Sequence, residues 1–253
     1  MPNLRHLVLY DIRINPRYGI SAAHTDEIQL LKPCLSKLRS FTIRFGTIFD
    51  TNGEFRYLRN WFGMCTSLEE FSISWSGANR SGSSLSPTRL LKALVNTRST
   101  LKLLSMEIYG VNEAWVDDWF CLKDTRLSQF ANLKTLRMDS LCLSCAASGL
   151  GPMLAGILPR SITKLSIVCT RDYDKECEAI LLHIGVIARM RKYDGQYANL
   201  EDCVVEFGEV PEHVLESFNE LIVGGFAGTG VNSKVRSTRP TEWLGLEGTP
   251  GRT

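Results

Sequence analysis

Leu101-Lys102-Leu103-Leu104-Ser105-Met106 and Leu133-Lys134-Thr135-Leu136-Arg137-Met138 spell one phrase: an apolar residue, two variable residues, a second apolar residue, one variable residue and a third apolar residue. Towards the N-terminus the phrase recurs as Leu4-Leu7-Leu9, Leu38-Phe41-Ile43 and Leu68-Phe71-Ile73, and towards the C-terminus as Ile162-Leu165-Ile167 and Leu200-Cys203-Val205. The seven copies start 29 to 38 residues apart, which is room for one strand and one helix per unit.

Side chains alternate along a strand, so positions four, six and eight of the phrase share one face and positions three, five and seven the other. The first set is apolar in most copies, for example Phe41, Ile43 and Phe45, or Phe71, Ile73 and Trp75, and is the expected core. Burial of each large apolar side chain stabilises by about 1.5–3 kcal/mol, so stacked rows need neither disulfide nor metal to fold. Between the phrases, apolar stripes at helical spacing predict helices over 25–36, 54–65, 113–130, 151–158, 175–191 and 211–222. The clearest is announced by Ser86-Pro87, a cap residue before a first-turn proline, followed by Leu90, Leu91, Leu94 and Val95.

Strand and helix alternating in every unit predict an α/β solenoid of about seven irregular repeats, with a parallel sheet on its concave face and helices on its convex face. The array is expected over 1–223. Residues 224–253, dense in Gly, Ser, Thr and Pro, are expected to be a mostly disordered tail, with Trp243, Leu244 and Leu246 a short apolar patch in it.

The phrase resembles the leucine-rich repeat. Ten positions after each start stand Ile14, Ile48, Ala78, Val111, Leu143, Asp172 and Val210, apolar in six of seven copies as that repeat requires. Eight positions after it none of the copies carries the Asn or Cys of the pattern, a departure that marks the array as irregular. The long period is similar to the ribonuclease-inhibitor-like subclass, a curved horseshoe, and the irregularity is similar to the repeat regions of fungal F-box proteins. That resemblance implies substrate recognition for a ubiquitin ligase. F-box helices are absent from this sequence.

Lys and Arg number 29 against 27 Asp and Glu, a net +2 that gives no electrostatic footprint for nucleic acid. No apolar run reaches the roughly 18 residues of a membrane span, and the first residues enter the repeat without a signal-peptide pattern, so an intracellular address, cytoplasmic or nuclear, is expected. The eight cysteines are then expected to be mostly free thiols, and Asn79-Arg80-Ser81 a chance glycosylation motif.

Signals for chemistry are weak. Gly225, Gly228 and Gly230 follow an apolar run, but no helix behind them is expected to cradle a phosphate. Cys142-x-x-Cys145 has ligand spacing without the second pair that zinc sites use, and no metal or cofactor is expected. His6, His24, His183 and His213 fall in different units with no nucleophile signature beside them. The acids Asp117-Asp118 and Asp172, Asp174, Glu176 read as helix starts and solvated surface. A non-enzymatic protein-interaction scaffold is the preferred function. A hydrolase or other enzyme hidden in the irregular array is the alternative.

The expected partner-binding surface is the concave face, through His6, Tyr10, Arg44, Glu70, Ser74, Glu107, Arg137, Asp139, Lys164 and Glu206. Reversing Arg44, Glu107 and Arg137 together is expected to abolish binding at little cost in stability. Leu4 begins the first strand without a capping unit, which predicts an upstream element or self-association at that strand.

Overall fold

The computed structural model of the chain describes residues 4–10, 13–14, 32–48, 56–76, 87–109, 122, 125–142, 154–169, 173–208 and 210–237. The strands are β1 (His6–Tyr10), β2 (Arg13–Ile14), β3 (Ser40–Ile48), β4 (Glu70–Ser76), β5 (Leu103–Tyr109), β6 (Thr135–Asp139), β7 (Lys164–Cys169), β8 (Asp202–Phe207) and β9 (Asn232–Ser237). All pairings are parallel, and the open sheet runs β1-β3-β4-β5-β6-β7-β8-β9, with β2 beside β3 only. From β3 onward each strand pairs with the next one in the chain, an order compatible with a solenoid. The helices between them are α1 (Arg56–Met64), α2 (Pro87–Ala93), α3 (Leu154–Ile157), α4 (Tyr173–Asp194) and α5 (Glu212–Phe226). The expected helix over 113–130 is described only in part, and there residues Thr125–Gln129 form a 3-10 turn instead. Pro87 opens α2 as its sequence predicts.

Register is set by the phrase. Phe41, Phe71, Leu104, Leu136, Leu165 and Cys203 stand opposite one another along one row, and Ile43, Ile73, Met106, Met138, Ile167 and Val205 along the next. All twelve are buried in one continuous core with Phe62, Leu90, Leu94, Ile184 and Ile222 from the helical layer. A one-residue slip would turn every one of these side chains to the other face, so the register is strongly specified. Phe62 sits edge-on to Phe71, ring centroids 4.9 Å apart, and Phe41 leans on both. Cys65, Cys142, Cys169 and Cys203 lie in the core and form no disulfide, and burial pushes Cys65 and Cys203 up to about 12. At such values they behave as small apolar residues, not nucleophiles.

Two features depart from the sequence reading. In β3 the register shifts between Ile43 and Gly46, so Gly46, not Phe45, stands opposite Trp75; one extra residue in β3 breaks the strict alternation there. The array also continues past residue 223. Helix α5 runs to Phe226, and β9 adds an eighth strand in register with β8, pairing Cys203 with Ser233 and Val205 with Val235. Its phrase is Gly230-Ser233-Val235, in which two of three apolar sites are lost, while Ile222 and Phe226 of α5 supply the buried surface. Gly228 and Gly230 have φ of +76° and +75°, left-handed conformations that an L side chain resists, and they make the turn into β9 rather than a flexible tail. Residues 238–253, with Trp243, lie outside the described residues.

Candidate functional site

Positions three, five and seven line the face of the sheet opposite the helices. Successive strands set their residues about 4.8 Å apart. Position three reads His6, Ser40, Glu70, Leu103, Thr135, Lys164, Asp202, Asn232, and position five reads Val8, Thr42, Ser72, Ser105, Arg137, Ser166, Val204, Lys234.

The two halves of this face differ in character. On β1, His6 is exposed, and Val8 and Tyr10 are 47 % and 60 % exposed. The Arg44 guanidinium lies 5.8 Å from the centre of the Tyr10 ring, a cation–π approach, and Glu70 of β4, in the position-three row with His6 and Ser40, is exposed. Ser74 is half-buried further along β4.

The C-terminal half is cross-linked by its own charges. Arg137 on β6 donates from Nε to Glu107 of β5 at 2.7 Å and from Nη1 to Ser166 of β7 at 3.2 Å and to Glu206 of β8. Glu206 also accepts from Ser166 Oγ at 2.9 Å and from Arg236 Nη2 of β9 at 2.8 Å. Five strands are thus tied across one face. Glu206 is 2 % exposed, so the pair is far stronger than one in water but depends on every partner staying in place. Lys164 remains largely exposed, 3.6 Å from Asp202.

Three sequence expectations are corrected here. Glu206 is a buried carboxylate at the centre of this network, not an exposed contact residue. Asp139 is fully buried: β6 ends at it and a 3-10 turn, Ser140–Cys142, begins, so its Oδ1 accepts the Leu141 N–H at 2.9 Å as a helix cap does. Arg137 is held between two carboxylates, so reversing its charge is not a mild surface change. Alternation places these residues on the correct face, but it does not show that Arg236, 30 residues beyond Glu206, completes the network. Carrying the repeat period one unit further would have found it.

Burial pushes the Glu206 carboxyl up, but hydrogen bonds and charge from Arg137, with Arg236 and Ser166, outweigh it and hold the group below its ordinary 4.5. A carboxylate lowered on folding contributes stability that is full above its unfolded pKa and is lost as pH falls through the folded one. Stability should therefore drop on acidification from about pH 5 to pH 3, and Glu206→Gln should be less stable at pH 7 but show a flatter acid limb. Urea midpoints across that range check this; parallel acid limbs would remove Glu206 from the account.

The other candidates for chemistry separate. His183 is buried in α4, where its Nδ1 accepts the Leu154 N–H at 3.1 Å, a structural contact. Cys142 is buried, while Cys145, His24, Asp117, Asp118 and Asp172 lie outside the described residues. No group of three metal-ligating side chains gathers among the described residues. No described helix is long and apolar enough to cross a membrane. No family model, no curated protein and no solved structure matches the chain.

Proposed function

We propose that the chain is a leucine-rich repeat solenoid acting as a non-enzymatic, intracellular protein-interaction scaffold, with the N-terminal half of the concave sheet face as its contact surface. The observation that carries this reading is the contrast between the halves: Val8, Tyr10, His6 and Glu70 are exposed, whereas Glu107, Arg137, Glu206 and Arg236 are engaged with one another. Tyr and Arg are the side chains that most often anchor interfaces, and Tyr10 with Arg44 supplies both at one place. A rigid parallel sheet presents them without the ordering cost that a loop would add. The F-box resemblance narrows the proposed role to recognising a substrate protein for a ubiquitin ligase, and the edge of β1 away from β3, unpaired among the described residues, is the proposed contact for an upstream element or a second copy.

The triple variant Tyr10→Ala, Arg44→Glu, Glu70→Lys tests the site. Affinity capture from cells with quantitative mass spectrometry should recover partners on the wild type and lose them on the variant. Its stability should fall by no more than about 1 kcal/mol, since exposed substitutions cost little. Equal recovery by a folded variant would move the site elsewhere.

A further inference from the structure

The repeat builds a second surface along the rim where the strands begin. At position two the backbone carbonyl of each unit accepts two N–H groups from the next: Arg5 O takes Arg39 N and Ser40 N at 2.8 and 3.0 Å, Arg39 O takes Glu69 N and Glu70 N at 2.8 and 2.9 Å, and Glu69 O takes Lys102 N and Leu103 N at 2.7 and 3.0 Å. This fixed ladder sets the position-two side chains at the strand pitch. They are Arg5, Arg39, Glu69, Lys102, Lys134, Thr163 and Glu201.

Four of the first five are cations. Three of them, Arg5, Arg39 and Lys102, border a rim cavity of about 610 Å³ whose wall also carries Lys37, and among its described lining residues Glu69 is the one carboxylate. The hydroxyl of Ser67 lies on the same wall, while that of Thr100 donates to the Thr97 carbonyl at 3.2 Å. Glu69 shows what the cations do when a carboxylate is present: Lys102 Nζ closes on it at 2.7 Å and Arg39 Nη1 stands at 3.5 Å, while both basic side chains stay 55 % exposed. Hydrogen bonding to Lys102 and the charges of Lys102 and Arg39 hold its carboxyl below the ordinary range.

We propose that this rim cavity binds a short acidic segment of a partner protein, whose carboxylates displace or join Glu69 between Arg39 and Lys102. The site lies beyond the concave surface and does not depend on it. A polypeptide fits better than a nucleic acid on two counts. The cationic row is short, about 19 Å from β1 to β6 at the sheet's pitch, the length of an extended segment of about six residues, and it then ends in Thr163 and Glu201. None of the described lining residues is aromatic, so the cavity offers bases no stacking platform.

Fluorescence anisotropy with a labelled hexaglutamate peptide and the full chain tests the assignment. The expected result is saturable binding at low salt that is lost near 0.5 M salt, where screening shortens to about 4 Å. Arg39→Glu with Lys102→Glu should weaken it by about tenfold or more. Glu69→Gln, which removes the internal competitor, should tighten it by about threefold, a gain that misfolding cannot produce. Absence of saturable binding, or indifference to these variants, would overturn the proposal. So would an oligouridylate of equal charge binding more tightly than the peptide, which would make the rim a nucleic-acid site.

Discussion

Phe71→Ala is expected to lower folding stability by about 4 kcal/mol, the cost of deleting a fully buried phenyl ring and leaving the cavity behind. Phe71 sits in the third repeat with Phe41 on one neighbouring strand and Phe62 of α1 edge-on above it, so its removal strips both rings of a partner. Each unit packs only on its neighbours, and a defect here, in the third of eight stacked units, divides the array internally instead of fraying an end. Urea unfolding followed by circular dichroism should show a lower midpoint, and separate transitions for the two halves would show that the array no longer unfolds as one. A change below about 1 kcal/mol would mean that the Phe41–Phe62–Phe71 cluster does not pack as described.

Arg137→Glu is expected to cost about 3–5 kcal/mol, because it breaks a buried ion pair and sets a third carboxylate against Glu107 and Glu206. Arg236 keeps contact with Glu206 but is half exposed, so it cannot replace what Arg137 supplies to both acids. Replacing the two groups together, Arg137→Met with Glu206→Met, should recover much of the loss, since well-packed apolar residues can substitute for a buried pair while a lone buried charge cannot be tolerated. A double-mutant cycle in urea measures this. Additive single effects would show that the two residues do not act as a pair.

The sequence makes the core legible because the phrase repeats a physical requirement: one apolar side chain at each inward position of each strand. Leu38, Leu68, Leu101, Leu133, Ile162 and Leu200 are all buried, while Leu4, two residues before the edge strand β1, is half-buried. What pattern reading misses are places where another force supplies the stabilisation. In β9 glycine and serine replace the apolar signal, and α5 with backbone pairing holds the strand. In β3 one inserted residue shifts the register, which alternation cannot reveal. On the opposite face alternation correctly turns Glu107, Arg137 and Glu206 away from the core. Whether such a residue is free to meet a partner depends on charges up to 69 residues distant, and spacing within one unit carries no trace of them. The acid at position seven of the fifth unit is buried for a local reason: Asp139 ends its strand and caps the turn that follows.

A photo-crosslinking amino acid placed at Thr42, on the N-terminal half of the open face, and in a second protein at Leu182, exposed on α4, gives the most direct test of the contact surface. Crosslinks to a common partner from position 42 and none from position 182 are expected. Crosslinks from position 182 alone would place the binding surface on the helical side and contradict the scaffold as proposed.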